Sequence, residues 1–178
     1  NISLGSYSLQ AVTTGYSNFG LGRSALQNLT EGGNNVAIGD LALNTSTTEL
    51  NNVAIGIQAL TSLNWPGVGN SNSAIGYQVG NNLIQTRNAT LVGNQAGYGA
   101  TNTSSSNLTA IGYQAGYQGS VGSVMIGYQA GSNETGSNRL YIANSNTATP
   151  LIYGLFSGTG AGLTIHSQAT DGVPLRVK

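Results

Sequence analysis

A nine-residue segment, Asn35-Val-Ala-Ile-Gly39-Asp-Leu-Ala-Leu43, recurs along the chain and restricts its possible folds more than any other feature. It returns as Asn52 to Leu60, Asn72 to Gly80, Leu108 to Gly116 and Ser123 to Gly131, with weaker copies around these. Aligned on the glycine, the repeats fall at Gly5, Gly22, Gly39, Gly56, Gly76, Gly93, Gly112 and Gly127, and Ala143 marks a degenerate ninth. Successive spacings are 17, 17, 17, 20, 17, 19, 15 and 16 residues. A period so short and so steady cannot enclose a separate core in each copy. It is the pattern of coils that bury their apolar side chains only by stacking, so the expected fold is a solenoid.

Within each repeat, the residues three and one before the glycine are apolar and the residue between them is small, as in Val36-Ala37-Ile38 and Val53-Ala54-Ile55. This alternation over so few residues, bounded by Gly and Asn, predicts a short β-strand and not a helix. The apolar pair is expected to line a continuous core row, with Val36, Ile38, Val53 and Ile55 as its members. On the opposite face the repeated alanines Ala37, Ala54, Ala74 and Ala110 admit two readings: small residues where sister chains approach a three-fold axis, or simply exposed alanines. After the glycine come Ala25-Leu26, Ala42-Leu43 and Ala59-Leu60, replaced later by Ala96-Gly97, Ala115-Gly116 and Ala130-Gly131, which read as a turn into a second strand. The recurrent Gly22, Gly39, Gly56, Gly76, Gly93, Gly112 and Gly127 would serve either a left-handed backbone angle or the close approach of a neighbouring coil.

Stacked coils bring like positions about 4.8 Å apart. Two residues past the glycine this aligns Gln58, Gln78, Gln95, Gln114 and Gln129, a predicted amide ladder. One past it stand Tyr77, Tyr113 and Tyr128, interrupted by Asn94, and five past it Tyr98 and Tyr117. These five tyrosines are candidate receptor contacts. So is Trp65, the single tryptophan, in the longest connector, Thr61 to Ser71, where an insertion would project from the array. An aromatic folded back to cap a coil is the other reading of Trp65.

Composition removes most other function classes. Charged residues make up 6% of the chain, five basic against five acidic, and they are scattered singly, so no basic stripe exists to hold nucleic acid. Disorder would fit the low charge but not the periodic apolar residues. With no cysteine there are no disulfides, thiolate metal sites or thiol nucleophiles. No apolar run of about 18 residues is present to insert in a membrane as a helix, and no cofactor is expected. The single histidine, His166, has no neighbouring acid at ligand spacing and reads as an exposed or interface residue. A calcium β-roll would need acids in every turn, which are missing, and no Gly-Lys-Ser/Thr follows a glycine-rich connector to make a phosphate loop. Glu31 and Glu49 could be neighbours on adjacent coils, the arrangement a glycosidase needs, but no acid recurs at a fixed repeat position and no catalytic residue is assigned. Six Asn-x-Ser/Thr triplets, at Asn28, Asn44, Asn88, Asn102, Asn107 and Asn133, are what chance gives in so Asn-, Ser- and Thr-rich a chain.

The Asn-Val-Ala-Ile-Gly-x-x-Ala-Leu repeats resemble the left-handed parallel β-roll of trimeric autotransporter adhesin heads and related repeats in phage tail fibres. Ser137-Asn-Arg-Leu-Tyr-Ile-Ala-Asn-Ser-Asn-Thr-Ala-Thr-Pro-Leu-Ile-Tyr-Gly154 resembles the segment that, in many tail fibres, leads toward a C-terminal intramolecular chaperone of the endosialidase type. Two departures are visible: the repeats are longer and less regular than those of the adhesin heads, and no chaperone domain is present in the chain. The expectation is therefore all-β, a left-handed parallel β-roll of about nine coils over residues 1–135, in an intertwined homotrimer. A terminal β segment over 136–178, where Pro150, Gly160 and Gly162 separate short apolar stretches, would lead to a further module outside the chain, which reads as part of something longer. What the resemblance implies is an extracellular structural fibre on a virion, giving rigid reach and attachment to a host glycan or surface protein. A bacterial trimeric surface adhesin head is the alternative, and a polysaccharide-degrading spike using Glu31 or Glu49 is a third.

Overall fold

The structure, a computed structural model, describes residues 1–65, 70–99, 104–158 and 161–165. His166 and the rest of the C-terminus, Asn102, and the middle of the Trp65 connector lie outside the described residues. Among those described there is no helix. Eleven short strands form one sheet in strict sequence order: β1 (Ile2–Leu4), β2 (Phe19–Leu21), β3 (Val36–Ile38), β4 (Val53–Ile55), β5 (Ser73–Ile75), β6 (Thr90–Val92), β7 (Thr109–Ile111), β8 (Val124–Ile126), β9 (Arg139–Ile142), β10 (Ile152–Leu155) and β11 (Gly162–Ile165). The first nine are parallel, and equivalent repeat positions pair in register: Val36 with Val53, Ala37 with Ala54 and Ile38 with Ile55. The predicted solenoid with a period near 17 is therefore the fold. Past β9 the direction changes, and β10 pairs antiparallel with both β9 and β11.

Among the described residues each coil contains one strand and no second one. The segment expected to lead into another strand is instead a stacked turn, because the residues two and four past the glycine both adopt positive φ, as in Gln58 (58°) and Leu60 (48°). Left-handed residues so closely spaced end an extended backbone. Coil-to-coil hydrogen bonds nevertheless continue through the turns, with Leu26 N–H donating to Ala42 O at 3.0 Å and Leu43 N–H to Ala59 O at 3.0 Å.

The two faces of the strand are the reverse of those expected. Ala37, Ala54, Ala74 and Ala110 are fully buried inside the chain's own coil, while the flanking Val and Ile side chains point outward. The reason is thickness. A coil is closed by its turn, whose Ala and Leu (Ala42 with Leu43, Ala59 with Leu60) are also fully buried and fill the space against the strand. Only a small strand residue fits opposite that leucine. The alanines consequently cannot be a three-fold axis, since the coil interior already encloses them.

The exceptions follow the same volume rule. Where the strand residue is large, as Leu91 or Met125, the turn leucine becomes glycine: a Cβ on Gly97 would lie 2.7 Å from Leu91 Cδ2, and one on Gly131 would strike Met125 Sδ. Close-packed interiors tolerate exchanges that conserve volume. The exchange also removes strain, since Leu26, Leu43 and Leu60 hold φ near 50° whereas Gly80, Gly97, Gly116 and Gly131 take φ of 56–57° at little cost.

Both readings of the anchor glycine hold at once. Gly39 has φ 129°, and a Cβ placed on it would sit 2.5 Å from the carbonyl oxygen of Gly56 in the next coil. Ala143 stands at the ninth position, where no further parallel coil follows. Gly39→Ala should lower unfolding free energy by about 3 kcal/mol or more, from the forbidden backbone angle plus the displaced coil. Gly158→Ala, whose Cβ would meet nothing within 4 Å, should lose only the strain part, and denaturant unfolding of the two variants separates the terms.

Candidate functional site

Side chains carried at repeat positions form columns along the stack. The predicted glutamine column exists: the amide of Gln78 donates to Gln58 at 2.7 Å, Gln95 to Gln78 at 2.9 Å, Gln114 to Gln95 at 2.8 Å and Gln129 to Gln114 at 2.8 Å. Beside it, Tyr113 and Tyr128 stack with ring centroids 5.3 Å apart, and Tyr98 and Tyr117 at 4.9 Å with planes 4° from parallel. Tyr77, Tyr113 and Tyr128 are exposed, Tyr98 and Tyr117 half-buried. Each stacked pair turns one ring face of each member toward its partner on the neighbouring coil. Burial, and then the neighbouring Tyr98 and Tyr113, raise the pKa of Tyr117 above 10.0.

Trp65 is half-buried and partly folded back. Its backbone N–H donates to Glu49 Oε1 at 2.7 Å, and the Arg87 guanidinium lies 5.3 Å from the centre of its ring. Glu49 itself is fully buried, and its Oε2 accepts the Thr47 and Thr48 N–H groups. Three backbone donors thus satisfy one carboxylate that would be costly to bury alone. Glu31 is exposed, so Glu31 and Glu49 do not present two carboxylates to one cleft. Among the described residues no three His, Cys, Asp or Glu side chains cluster. Arg23 and Asp40, on adjacent coils, form an exposed ion pair at 3.4 Å of small energetic weight.

A second amide column escaped the sequence reading. The asparagine four before each glycine runs Asn1, Asn18, Asn35, Asn52 and Asn72, all but the first buried. Each side-chain oxygen accepts from both the backbone and the side-chain nitrogen of the next member, as Asn35 Oδ1 does from Asn52 N at 3.0 Å and Nδ2 at 3.0 Å. Ala89 N–H closes the column on Asn72 Oδ1 at 3.0 Å. The signal was present in Asn35, Asn52 and Asn72 at constant offset, but asparagine at a strand start reads as turn chemistry. Farther along, the same position carries Leu108, buried, and the polar column stops.

The third grouping lies where the roll ends. Glu134 Oε2 accepts the Tyr141 hydroxyl at 2.8 Å, and its Oε1 accepts Gly136 N–H at 2.6 Å. Tyr141 packs edge-on against Tyr153 at 5.2 Å, and Arg139 bonds the Tyr153 hydroxyl while lying 5.9 Å from that ring's centre. Burial first, then the hydrogen bond and charge of Glu134, raise the Tyr141 pKa well beyond 10.0. No periodicity announces this cluster, because it sits past the regular repeats.

Asn35→Ala would strip acceptors from two buried donors of Asn52, and should cost about 3 kcal/mol. Gln95→Ala, in the half-buried column, should cost about 1 kcal/mol, and thermal unfolding gives the ranking. Tyr141→Phe should remove the component of the tyrosine absorbance titration that ionises at the highest pH. The native preference for neutral Tyr141 stabilises the fold fully below pH 10.0, the unperturbed value, and is lost as pH climbs through the raised native pKa.

In comparisons with protein-family models, curated proteins and solved structures, nothing matches the chain.

Proposed function

We propose that the chain is a segment of a homotrimeric extracellular fibre of a virion, whose work is rigid reach and attachment to a host surface. The observation that carries this reading is the outward face of the parallel sheet. Side chains one before the glycine, among them Ile75 at 45% and Ile111 at 40% exposure, make a column continuous from β1 to β9. Phe19, Val36 and Val53 make a second column beside its early part. Contiguous apolar surface on this scale marks an interface. A groove of 520 Å³ lined by Ile126, Ile142 and Leu151 extends it past the last parallel strand.

The occupant we assign is the same face of two sister chains. In-register columns are self-complementary at every rung, and three such faces around an axis cover one another and close the assembly. The isoleucine columns, in place of the alanines, thus become the inter-chain contact. The tyrosine columns and Trp65 remain on other surfaces as candidate contacts for host glycan or protein. Assignment to a virion rests on the resemblance of the repeats and of residues 137–154 to tail-fibre segments.

Light scattering on the purified chain should give a mass near three times 18.1 kDa. Ile75→Lys with Ile111→Lys should reduce it to the single-chain mass while the β signal in circular dichroism is retained. A wild-type chain that is monomeric at micromolar concentration, or a double variant that still trimerises, would overturn the assignment.

A further inference from the structure

The cluster at the end of the roll borders a cleft of 240 Å³ lined by Gly131, Asn133, Glu134, Tyr141, Asn146 and Thr147. Its hydrogen-bonding inventory is specific. Each oxygen of Glu134 already accepts one short bond, from Gly136 N–H and from the Tyr141 hydroxyl, which fixes the carboxylate plane and leaves a lone pair free on each oxygen. Glu134 is in no ion pair among the described residues, where the one pair is Arg23 with Asp40; Arg139 bonds Tyr153 through Nη1 and sets Nε and Nη2 beside Gly136, outside the lining of the cleft. Tyr141, 8% exposed, donates its O–H to Glu134 and keeps its oxygen as an acceptor. Asn133 and Asn146 are exposed at the mouth, each able to donate and accept.

Such a site selects by exclusion. An anion would meet Glu134, the one charged side chain in the lining. A metal ion would find a single acid, and the described residues hold no cluster of three metal-ligating side chains. An apolar group would bury the carboxylate's remaining lone pairs unpaired. What fits is a neutral molecule with adjacent hydroxyl donors, since a vicinal diol can give one hydrogen bond to each carboxylate oxygen while side-chain amides bind the flanking hydroxyls. The space is that of roughly eight waters at about 30 Å³ each, enough for one sugar ring. We infer that this cleft is a binding subsite for a single neutral hexopyranose unit, with Glu134 accepting its diol and Asn133 and Asn146 bonding the neighbouring hydroxyls.

The inference deepens the surface-attachment reading by naming a ligand class, but the cleft lies within one chain, so sugar binding and trimer mass are read separately. Saturation-transfer NMR on the full chain would use methyl glycosides of glucose, galactose and mannose at tens of millimolar, with the methyl glycoside of N-acetylneuraminic acid as the anionic probe. At least one neutral glycoside should bind in the millimolar range. Glu134→Gln, which retains one acceptor and the shape, should weaken it about tenfold, the loss expected for one charge-assisted bond. Asn146→Ala, at an exposed position, should weaken binding severalfold with thermal stability unchanged, which keeps the test valid if the Glu134 variant folds poorly. Gln10→Ala, on the first coil, should change nothing. The subsite is overturned if no neutral glycoside binds, if the anionic probe is preferred, or if binding survives both cleft variants. Loss of the trimer with binding intact would instead overturn the fibre assembly alone.

Discussion

Everything in this molecule follows from how closely one coil lies on the next. At the anchor glycines the backbone of each coil passes so near its neighbour that a single added carbon would overlap the next carbonyl group. That contact holds equivalent residues at one height, and the rest is a consequence of alignment. Strands pair in register, turns exchange backbone hydrogen bonds, and side chains of one type meet their own kind. The core of this array is a narrow row of buried Ala and Leu side chains running along the stack, and its stability is a series of nearest-neighbour terms. The anchor therefore recurs through eight coils and gives way to Ala143 where the stack stops.

Inside the coil, a narrow space is divided between one strand residue and one turn residue. Ala37 and Ala54 face leucine turns and Leu91 and Met125 face glycine turns, while the coils of Ala74 and Ala110 also carry glycine, at Gly80 beside Leu91 and at Gly116 beside Met125 of the next coil. The early coils accept a leucine in a left-handed conformation because its burial, worth about 2 kcal/mol, offsets a strain of similar size. Later coils avoid the strain and lose the burial. Polar columns are divided in the same way, with asparagine inside the early coils and glutamine half-exposed on the later ones.

Period, strand position and the glutamine and tyrosine columns were legible in the sequence, since each depends only on residue spacing. The direction of the strand face was not. Alternation along three residues says that two faces differ, not which one is interior, and the usual rule that larger apolar residues lie inside misleads when the interior is too thin to admit them. Val36 and Ile38 consequently read as core and lie at the surface of the single chain. The second strand failed for a related reason: left-handed φ at Leu41 or Gln58 is rare for such residues, and no residue type announces it. Glu49 and the Glu134 cluster depend on contacts between segments that carry no repeat, so spacing could not reveal them.

The irregular spacings of 20, 19 and 15 residues break what would otherwise be a translationally symmetric object. A chain of identical coils could pair each rung with the wrong neighbour, one unit out, and lose almost nothing, so that misaligned and swapped arrangements would compete with the native one. Here every rung has an address. The asparagine column terminates on Ala89, the glutamine column begins at Gln58, Leu91 and Met125 each demand their own glycine, and the Glu49 carboxylate accepts a bond from Trp65 of the longest connector. A stack displaced by one rung would strand amides, overfill two coils and leave a buried charge short of a donor. The departures from the repeat are thus what makes one alignment better than its near copies.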